Sequence, residues 1–515
     1  MQRFIKIFVV ILIITGTGFL LRHYFSLLFT EPAAAQTQNT DWSQLQYDAQ
    51  RTGHVAYDLI QPLQVKWKWI NGNKWDGVTV PAKFTVEIPV LAQVVTGDNK
   101  VYFGSYQGIF YGVDSATGNT LWSYPTGGPI MHTAAYASQI VYFGSADGNF
   151  YAINTSDGSL AWAYPTGPIY SAPLFVNNQV CIGSTSGYYY CFSQAGDLTF
   201  RYSVGAPIYN SAAASPDGSK IYFAGEDMIP RCLLSATTNS NGTVCSGWNP
   251  FTLPGDSLFH YWPVTALDKV IFTVKPQHPS TIDLFTNTDA FFSSLSASDW
   301  PTVEPALTTH YQQNPYFQTF FVLNGSSGTK TFDTAMSHIA YHNDALVPPT
   351  IGSDNQAYLF YRGKTTSMGG SFGTNYAPDL GKVNLTTGKI TPLGQVGEFG
   401  SMPNNDLDDN SAFVSGNSVI YATHNRRCVA SIDLTARRTF NAVQVVSNMQ
   451  SGHCGGSSFP FFFNSTGEPG SNTSYPDIAG YDNRGEGLMS PSISGNSMYV
   501  VFRGGAVMAV TGTIR

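Results

Sequence analysis

Short apolar runs, each closed by glycine or a small polar residue, punctuate the chain. Val101-Tyr-Phe-Gly-Ser105 recurs as Val141-Tyr-Phe-Gly-Ser145 and, with substitutions, as Val180-Cys-Ile-Gly-Ser184 and Ile221-Tyr-Phe-Ala-Gly225, at spacings of 40, 39 and 41 residues. Each opens a strand–turn–strand unit: Gly104-Ser-Tyr-Gln-Gly108 leads directly into Ile109-Phe-Tyr-Gly-Val113. Runs this short, rich in aromatic and β-branched residues, predict strands rather than helices. A second motif follows each unit. Asp114-x-x-Thr117-Gly118-x-x-x-Trp122 is matched by Asn154-x-x-Asp157-Gly158-x-x-x-Trp162. Weaker copies run from Gly196 to Phe200, through Asn324-x-x-Ser327-Gly328 to Phe332, and at Asn384-x-x-Thr387-Gly388. Here Asp or Asn caps a turn with its side chain, Thr adds a hydroxyl bond, and Gly takes the positive φ. The Trp then falls on the outermost strand of its unit, with its indole against the next unit. Such a sheet cannot bury both faces alone, so the copies must pack radially.

Second strands near residues 101, 141, 180, 221, 270, 357, 419 and 498 give eight units. The chain ends on Gly505-Ala-Val-Met-Ala-Val510 with no Trp after it, while Leu63-Gln-Val-Lys-Trp67-Lys-Trp69 stands unattached near the start. Trp67 occupies the place of an outer-strand Trp, so this strand is expected to complete the last unit and close the ring, leaving no edge. The fifth unit carries a long excursion, residues 277–315, read as a functional or mobile loop.

Composition agrees. Charged residues make up 11% of the chain, against roughly 25% in ordinary globular proteins. Lys and Arg number 26 against 33 Asp and Glu, a net charge of −7. A chain this aromatic is not disordered, and one this acidic is not a general nucleic-acid binder.

Arg3 and Lys6 precede an apolar run from Phe8 to Leu21, and Ala33-Ala34-Ala35 supplies an A-x-A cleavage pattern. Residues 1–35 therefore read either as a cleaved signal peptide or as an uncleaved signal anchor over residues 8–28; both export the rest. Residues 36–62 form a lead-in and 63–515 the repeat domain. The six cysteines suit an oxidising compartment. Cys181 and Cys191 flank a turn centred on Ser186, and Cys232 and Cys245 flank Asn239-Ser-Asn-Gly242, so each couple is expected to be a hairpin disulfide. Cys428 and Cys454 are left for each other. No C-x-x-C spacing favours a metal, and no C-x-x-C-H motif would attach haem. Six N-x-S/T sequons open at Asn154, Asn241, Asn324, Asn384, Asn464 and Asn472.

Residues Gly112–Trp122 and Ala152–Trp162 resemble the tryptophan-docking pattern A-x-D-x-x-T-G-x-x-x-W of the pyrroloquinoline-quinone (PQQ) repeat β-propellers. Asp41-Trp42, Tyr47-Asp48 and Arg51-Thr52-Gly53 are similar to the segment that starts many of them. The resemblance is strong from residue 41 to about 225 and patchy beyond. It implies an all-β, eight-bladed propeller of four-stranded antiparallel blades.

In such a ring the loops entering the innermost strands converge on one mouth. They carry Glu87, Met131-His132-Thr133, Tyr170-Ser171, Tyr209-Asn210, His260-Tyr261-Trp262, Asp344, Asp406 to Asn410, and Arg484-Gly485-Glu486. The family's dehydrogenases hold PQQ over Ca²⁺ in this funnel, between a Trp and a vicinal Cys-Cys disulfide, with an Asp as base. By that resemblance Trp262, Tyr170, Tyr209 and Arg484 would hold the quinone, Asp344 or Asp408 would serve as base, and Asp344, Asp408 and Glu486 would bind calcium, for which hard oxygen ligands suit. This chain has no adjacent Cys-Cys pair. It is also similar to the non-catalytic BamB-like propellers of envelope assembly, though it lacks their lipid-anchor Cys. The reading is an exported, non-catalytic scaffold that binds protein partners through its mouth or blade edges and needs no cofactor. A PQQ- and calcium-dependent dehydrogenase of alcohols or sugars is the alternative. Gly452-His-Cys454 lacks a placed base, Met368-Gly-Gly-Ser-Phe-Gly373 lacks the Lys of a phosphate loop, and Phe459-Pro-Phe-Phe-Phe463 reads as packing across a blade end.

Overall fold

The computed structural model describes residues 40–75, 85–89, 92–259, 261–276, 300–335, 348–362, 378–395, 413–424, 428–433, 491–502 and 506–515. The expected signal or anchor segment, Cys454 and the Phe459–Phe463 run lie outside them. No helix among the described residues is long and apolar enough to cross a membrane.

The chain begins with β1 (Leu59–Ile70) and β2 (Asn73–Lys74). Three four-stranded sheets follow: β3 (Val95–Gly97), β4 (Lys100–Gly104), β5 (Ile109–Asp114) and β6 (Thr120–Pro125); β7 (Ala135–Ala137), β8 (Ile140–Gly144), β9 (Asn149–Asn154) and β10 (Leu160–Pro165); β11 (Leu174–Val176), β12 (Gln179–Gly183), β13 (Tyr188–Ser193) and β14 (Leu198–Ser203). A fourth sheet holds β15 (Ala213–Ala214), β16 (Lys220–Ala224) and β17 (Pro230–Leu234). Next come β18 (Gly255–Ser257), β19 (Val264–Ala266), β20 (Lys269–Thr273), β21 (Lys275–Pro276) and β22 (Phe320–Asn324), in which β18 pairs β21 while β19, β20 and β22 form the fifth repeat sheet. The sixth is β23 (Thr350–Ile351), β24 (Ala357–Arg362), β25 (Pro378–Val383) and β26 (Ile390–Gln395), and the seventh β27 (Phe413–Ser415), β28 (Val419–His424) and β29 (Cys428–Asp433). The last sheet joins β30 (Ser492–Ser494), β31 (Ser497–Phe502) and β32 (Ala506–Ile514) to β1 and β2. All pairings between these strands are antiparallel, and every second strand read from the repeat falls on an observed strand.

Neighbouring sheets meet through their innermost strands: β3 lies beside β7, β7 beside β11, β11 beside β15, β15 beside β19, and β23 beside β27. Among the described residues, several interfaces at the outer rim set an aromatic ring on a glycine. A Cβ on Gly158 would sit 2.7 Å from the Trp122 indole of the preceding sheet, and one on Gly196 would sit 2.7 Å from Trp162. Trp248 lies on Gly328 and Phe332 on Gly388 in the same way. The indoles also donate across the interface, Trp122 Nε1 to Thr155 O (3.1 Å) and Trp162 Nε1 to Gln194 O (3.0 Å). The capping turn forms as the sequence predicts: Asp114 Oδ1 accepts from Ala116 N, Thr117 N and Thr117 Oγ1, and Gly118 has φ +78°. Before each aromatic the outer strand bulges by one residue, at Leu121, Ala161 and Thr199, which turns the following ring onto its neighbour.

β1 starts at Leu59, earlier than the expected 63, and pairs with β32 from Leu59↔Ile514 to Ile70↔Ala506. Trp67 lies on Gly118 of the first repeat sheet, its Nε1 donating to Ser115 O at 3.0 Å. The excursion 277–315 is partly helical where the sequence suggested a loop: α1 (Trp300–Gln313) buries Val303, Leu307 and Tyr311 at i, i+4, i+8. Glu304 Oε1 fixes it to the sixth sheet by accepting from Ile390 N.

A second feature fills the centre. Residues 42–58, which belong to no sheet, pass from one innermost strand to the next in chain order. The carbonyls of Trp42, Ser43, Ala49, Gln50, Thr52 and Gly53 accept from the N–H groups of Thr96, Tyr136, Ala214, Thr265, Ile351 and Ser415 at 2.6–3.0 Å. Gln44 Oε1 takes Phe175 N of the third sheet (3.1 Å). Left-handed backbone at Gln46, Tyr47, Arg51 and Gly53 lets the segment turn between sheets.

Cys181 and Cys191 form a disulfide between directly opposed residues of β12 and β13, and Cys232 is bonded to Cys245. Replacing both members of either pair by Ser is expected to cost about 3 kcal/mol, read as a lowered urea midpoint; an unchanged midpoint would show the bonds to be dispensable. Deleting residues 63–69 strips the partner from β32, and the product is expected to aggregate; a soluble monomer with an unchanged melting curve would refute that role for β1.

Candidate functional site

The loops entering the innermost strands of the second, third and fourth sheets are built by one rule. In each of the three, a Pro is followed by an Ile that is buried to 1% exposure or less: Ile130, Ile169 and Ile208. Each Ile fills the space left by a glycine that ends a strand of the preceding sheet. A Cβ on Gly104 would lie 2.3 Å from Ile130 Cγ2, one on Gly144 2.1 Å from Ile169 Cγ2, and one on Gly183 2.4 Å from Ile208 Cγ2. The Ile N–H then donates to the carbonyl of the adjoining serine, Ser105, Ser145 or Ser184, at 3.0–3.2 Å. The Pro carbonyl in turn accepts from the turn after the second strand of its own sheet: Ala146 N to Pro129, Thr185 N to Pro168, and Glu226 N to Pro207 (2.8–3.0 Å). The Gly-Ser that closes each repeat motif is thus the socket for the next sheet's loop.

Seating the anchor sets the position of its successor in the chain. The residue after the buried anchor is Met131, Tyr170 or Tyr209 in successive sheets, and Phe259 after Leu258, which is itself fully buried. Tyr170 and Tyr209 meet at 5.6 Å between ring centroids, and Tyr209 meets Phe259 edge-on at 4.9 Å. Tyr170 and Tyr209 are half-buried and Phe259 is 37% exposed, so three blades in a row present a continuous aromatic strip to solvent. Glu226 holds the third loop: its carboxylate accepts from Ser257 Oγ (2.7 Å) and Leu258 N (3.1 Å).

The polar groups behind the strip are engaged within the scaffold. Ser171 Oγ donates to Gly183 O, Asn210 Nδ2 donates to Tyr261 O (2.9 Å), and Ser211 Oγ accepts from Ala172 N. His132 is buried, with Nδ1 accepting from Thr133 N at 2.9 Å. Glu87 donates its backbone N–H to Gln107 Oε1.

Of the residues offered for a quinone site, the structure brings Tyr170 and Tyr209 together. Trp262 is 2% exposed and packs in the core that also holds Ala172, Val264 and Leu45 of the central segment. Its ring does not lie open at the mouth, so the described residues form no stacking floor there, and no step through a quinone is derived. Asp344, Asp408, Arg484 and Glu486 lie outside the described residues, as do Asp406 and Asp409. No group of three or more metal-ligating side chains occurs among the described residues. Phe259 carries no motif in the sequence; its signal is the apolar position directly after the loop anchor.

Residues 82–241 match the model of the PQQ-repeat family described as outer membrane protein assembly factor BamB. With the docking turns and the sheet order, this supports a likeness of that stretch to the PQQ-repeat β-propellers. A quinohemoprotein alcohol dehydrogenase from Comamonas testosteroni superposes with TM-score 0.55 at 12% identity, over 95% of this chain and 82% of that one. The corresponding enzyme ADHIIG from Pseudomonas putida gives 0.51 at 10% identity, over 92% and 81%. BamB from Moraxella catarrhalis gives 0.46 at 11% identity, over 84% and 99%. At these identities the likeness of the two dehydrogenases is one of fold. No curated protein matches the chain.

Enlarging the socket glycine should dislodge the strip. Gly144→Val places carbon against Ile169 and is expected to lower stability by about 1–3 kcal/mol and to raise the fluorescence accessibility of Tyr170; a variant with unchanged stability would show that the glycine is not a socket.

Proposed function

We propose that this chain is an extracytoplasmic, eight-bladed ring, closed by β1, that serves as a non-catalytic protein-interaction or envelope-assembly scaffold. The observation that carries the reading is the strip of Tyr170, Tyr209 and Phe259: three adjoining blades spend their mouth positions on exposed aromatic surface. Tyr and Phe supply large contact area at little cost in side-chain entropy and are enriched where proteins bind one another. Two disulfides support an oxidising compartment. The pairing of β1 with β32 and the seating of Trp67 on Gly118 support closure of the ring. The family description over residues 82–241 names an assembly factor.

The rival is a PQQ- and calcium-dependent dehydrogenase of alcohols or sugars, favoured by the shared fold of the quinohemoprotein enzymes and dependent on Asp344, Asp408, Arg484 and Glu486. Two measurements separate the readings. A photo-crosslinking side chain at position 209 is expected to capture a polypeptide, and the adduct should be lost in Tyr170→Ala and Phe259→Ala variants. Titration with PQQ, with and without Ca²⁺, is expected to show no calcium-dependent binding. Tight calcium-dependent binding with dye-linked turnover would overturn the scaffold and assign the enzyme.

A further inference from the structure

The central segment is bound as a ligand is bound. Its six accepting carbonyls each take an N–H from a different sheet, and in five cases the donor is the second residue of its innermost strand. There the inner edge of each of these six sheets is paired by the segment. These six contacts are to backbone, so they read the path of the chain rather than its sequence. Side chains add selectivity: Trp42, Leu45 and Val55 are fully buried, and the Gln44 amide bonds both Phe175 O and Phe175 N. Arg51 is fully buried, and its guanidinium donates to Ala212 O (2.9 Å) of the fourth blade and Pro173 O (2.8 Å) of the third. It also donates to Leu45 O (3.0 Å) and Gln44 Oε1 (3.2 Å) of its own segment. No carboxylate among the described residues lies within ion-pair distance of it; carbonyl dipoles from two blades solvate the charge. After Val55, which donates to Ser415 O, Ala56 is exposed, so the segment leaves the centre there. Asp58 then fixes the exit by accepting from Ser418 N, Val419 N and the Arg515 guanidinium.

We propose that the centre of the ring is a peptide-binding site, filled in cis by residues 42–56, whose ligand class is a turn-containing polypeptide carrying a buried arginine. The segment is then separable from the blades it joins.

The test uses the full chain with a specific protease site inserted at Ala56. After cleavage, the fragment ending at residue 56 is expected to travel with the ring through gel filtration and to come away under denaturant. A fluorescein-labelled synthetic peptide of residues 41–56 should exchange into the nicked protein, and the Arg51→Ala peptide should bind at least about tenfold more weakly. Should the nicked chain aggregate, rescue by excess wild-type peptide supports the site, and failure of rescue overturns it. Release of the fragment on cleavage with an unchanged melting curve overturns it too, as does equal binding of wild-type, Arg51→Ala and scrambled peptides.

Discussion

In the proposed ring, the radially packed sheets have an edge problem at their centre. Each innermost strand is paired on one side, and the N–H groups on its other side face inward, where a buried donor without a partner costs about 1–3 kcal/mol. This chain meets that constraint with residues 42–58, whose carbonyls satisfy Thr96, Tyr136, Ala214, Thr265, Ile351 and Ser415 in order. One irregular stretch therefore links seven sheets that otherwise touch their immediate neighbours, and its left-handed residues are the local strain that such a path demands. Burial pushes the Arg51 guanidinium down to about 10, still a cation at neutral pH, which is why four carbonyl and amide oxygens surround it.

The rest of the architecture follows from how one blade grips the next. At the rim, Trp122 and Trp162 sit on Gly158 and Gly196; near the centre, Ile130, Ile169 and Ile208 sit on Gly104, Gly144 and Gly183. Both are large-on-small contacts in which any Cβ would collide, so glycine is required by its neighbour as much as by its own backbone. The aromatic strip follows from the inner grip: Tyr170, Tyr209 and Phe259 each come directly after a buried anchor, Ile169, Ile208 or Leu258. On the proposed reading, function could vary by changing Met131, Tyr170, Tyr209 or Phe259 without altering the anchors beneath them.

Much of this is legible in the residue pattern. The repeat of Val-Tyr-Phe-Gly-Ser marks the second strands, the Asp114–Gly118 turn marks the link to the outer strand, and Trp67 marks the partner of β32, because these features are carried by side chains at fixed spacing. Cys181–Cys191 and Cys232–Cys245 are legible because a turn dictates which residues face each other. The central segment reads as a lead-in: Asp41-Trp42, Tyr47-Asp48 and Arg51-Thr52-Gly53 mark it as a start, but six of its bonds to the sheets run through backbone carbonyls, which leave no side-chain signature. The helix Trp300–Gln313 is hidden by Pro301, Pro305 and its threonines, although Val303, Leu307 and Tyr311 do keep helical spacing. Resemblance draws Trp262 toward the mouth, whereas its packing beside Ala172 and Leu45 puts it in the core.

That the blades are tied at the centre by residues 42–58 is the central claim, and hydrogen exchange reads it residue by residue. The amides of Thr96, Tyr136, Ala214, Thr265, Ile351 and Ser415 should exchange slowly, with a common opening free energy near that of global unfolding, and should all become fast together in Arg51→Ala. Exchange of these amides at loop rates in the native chain, while the neighbouring strands stay protected, would contradict it.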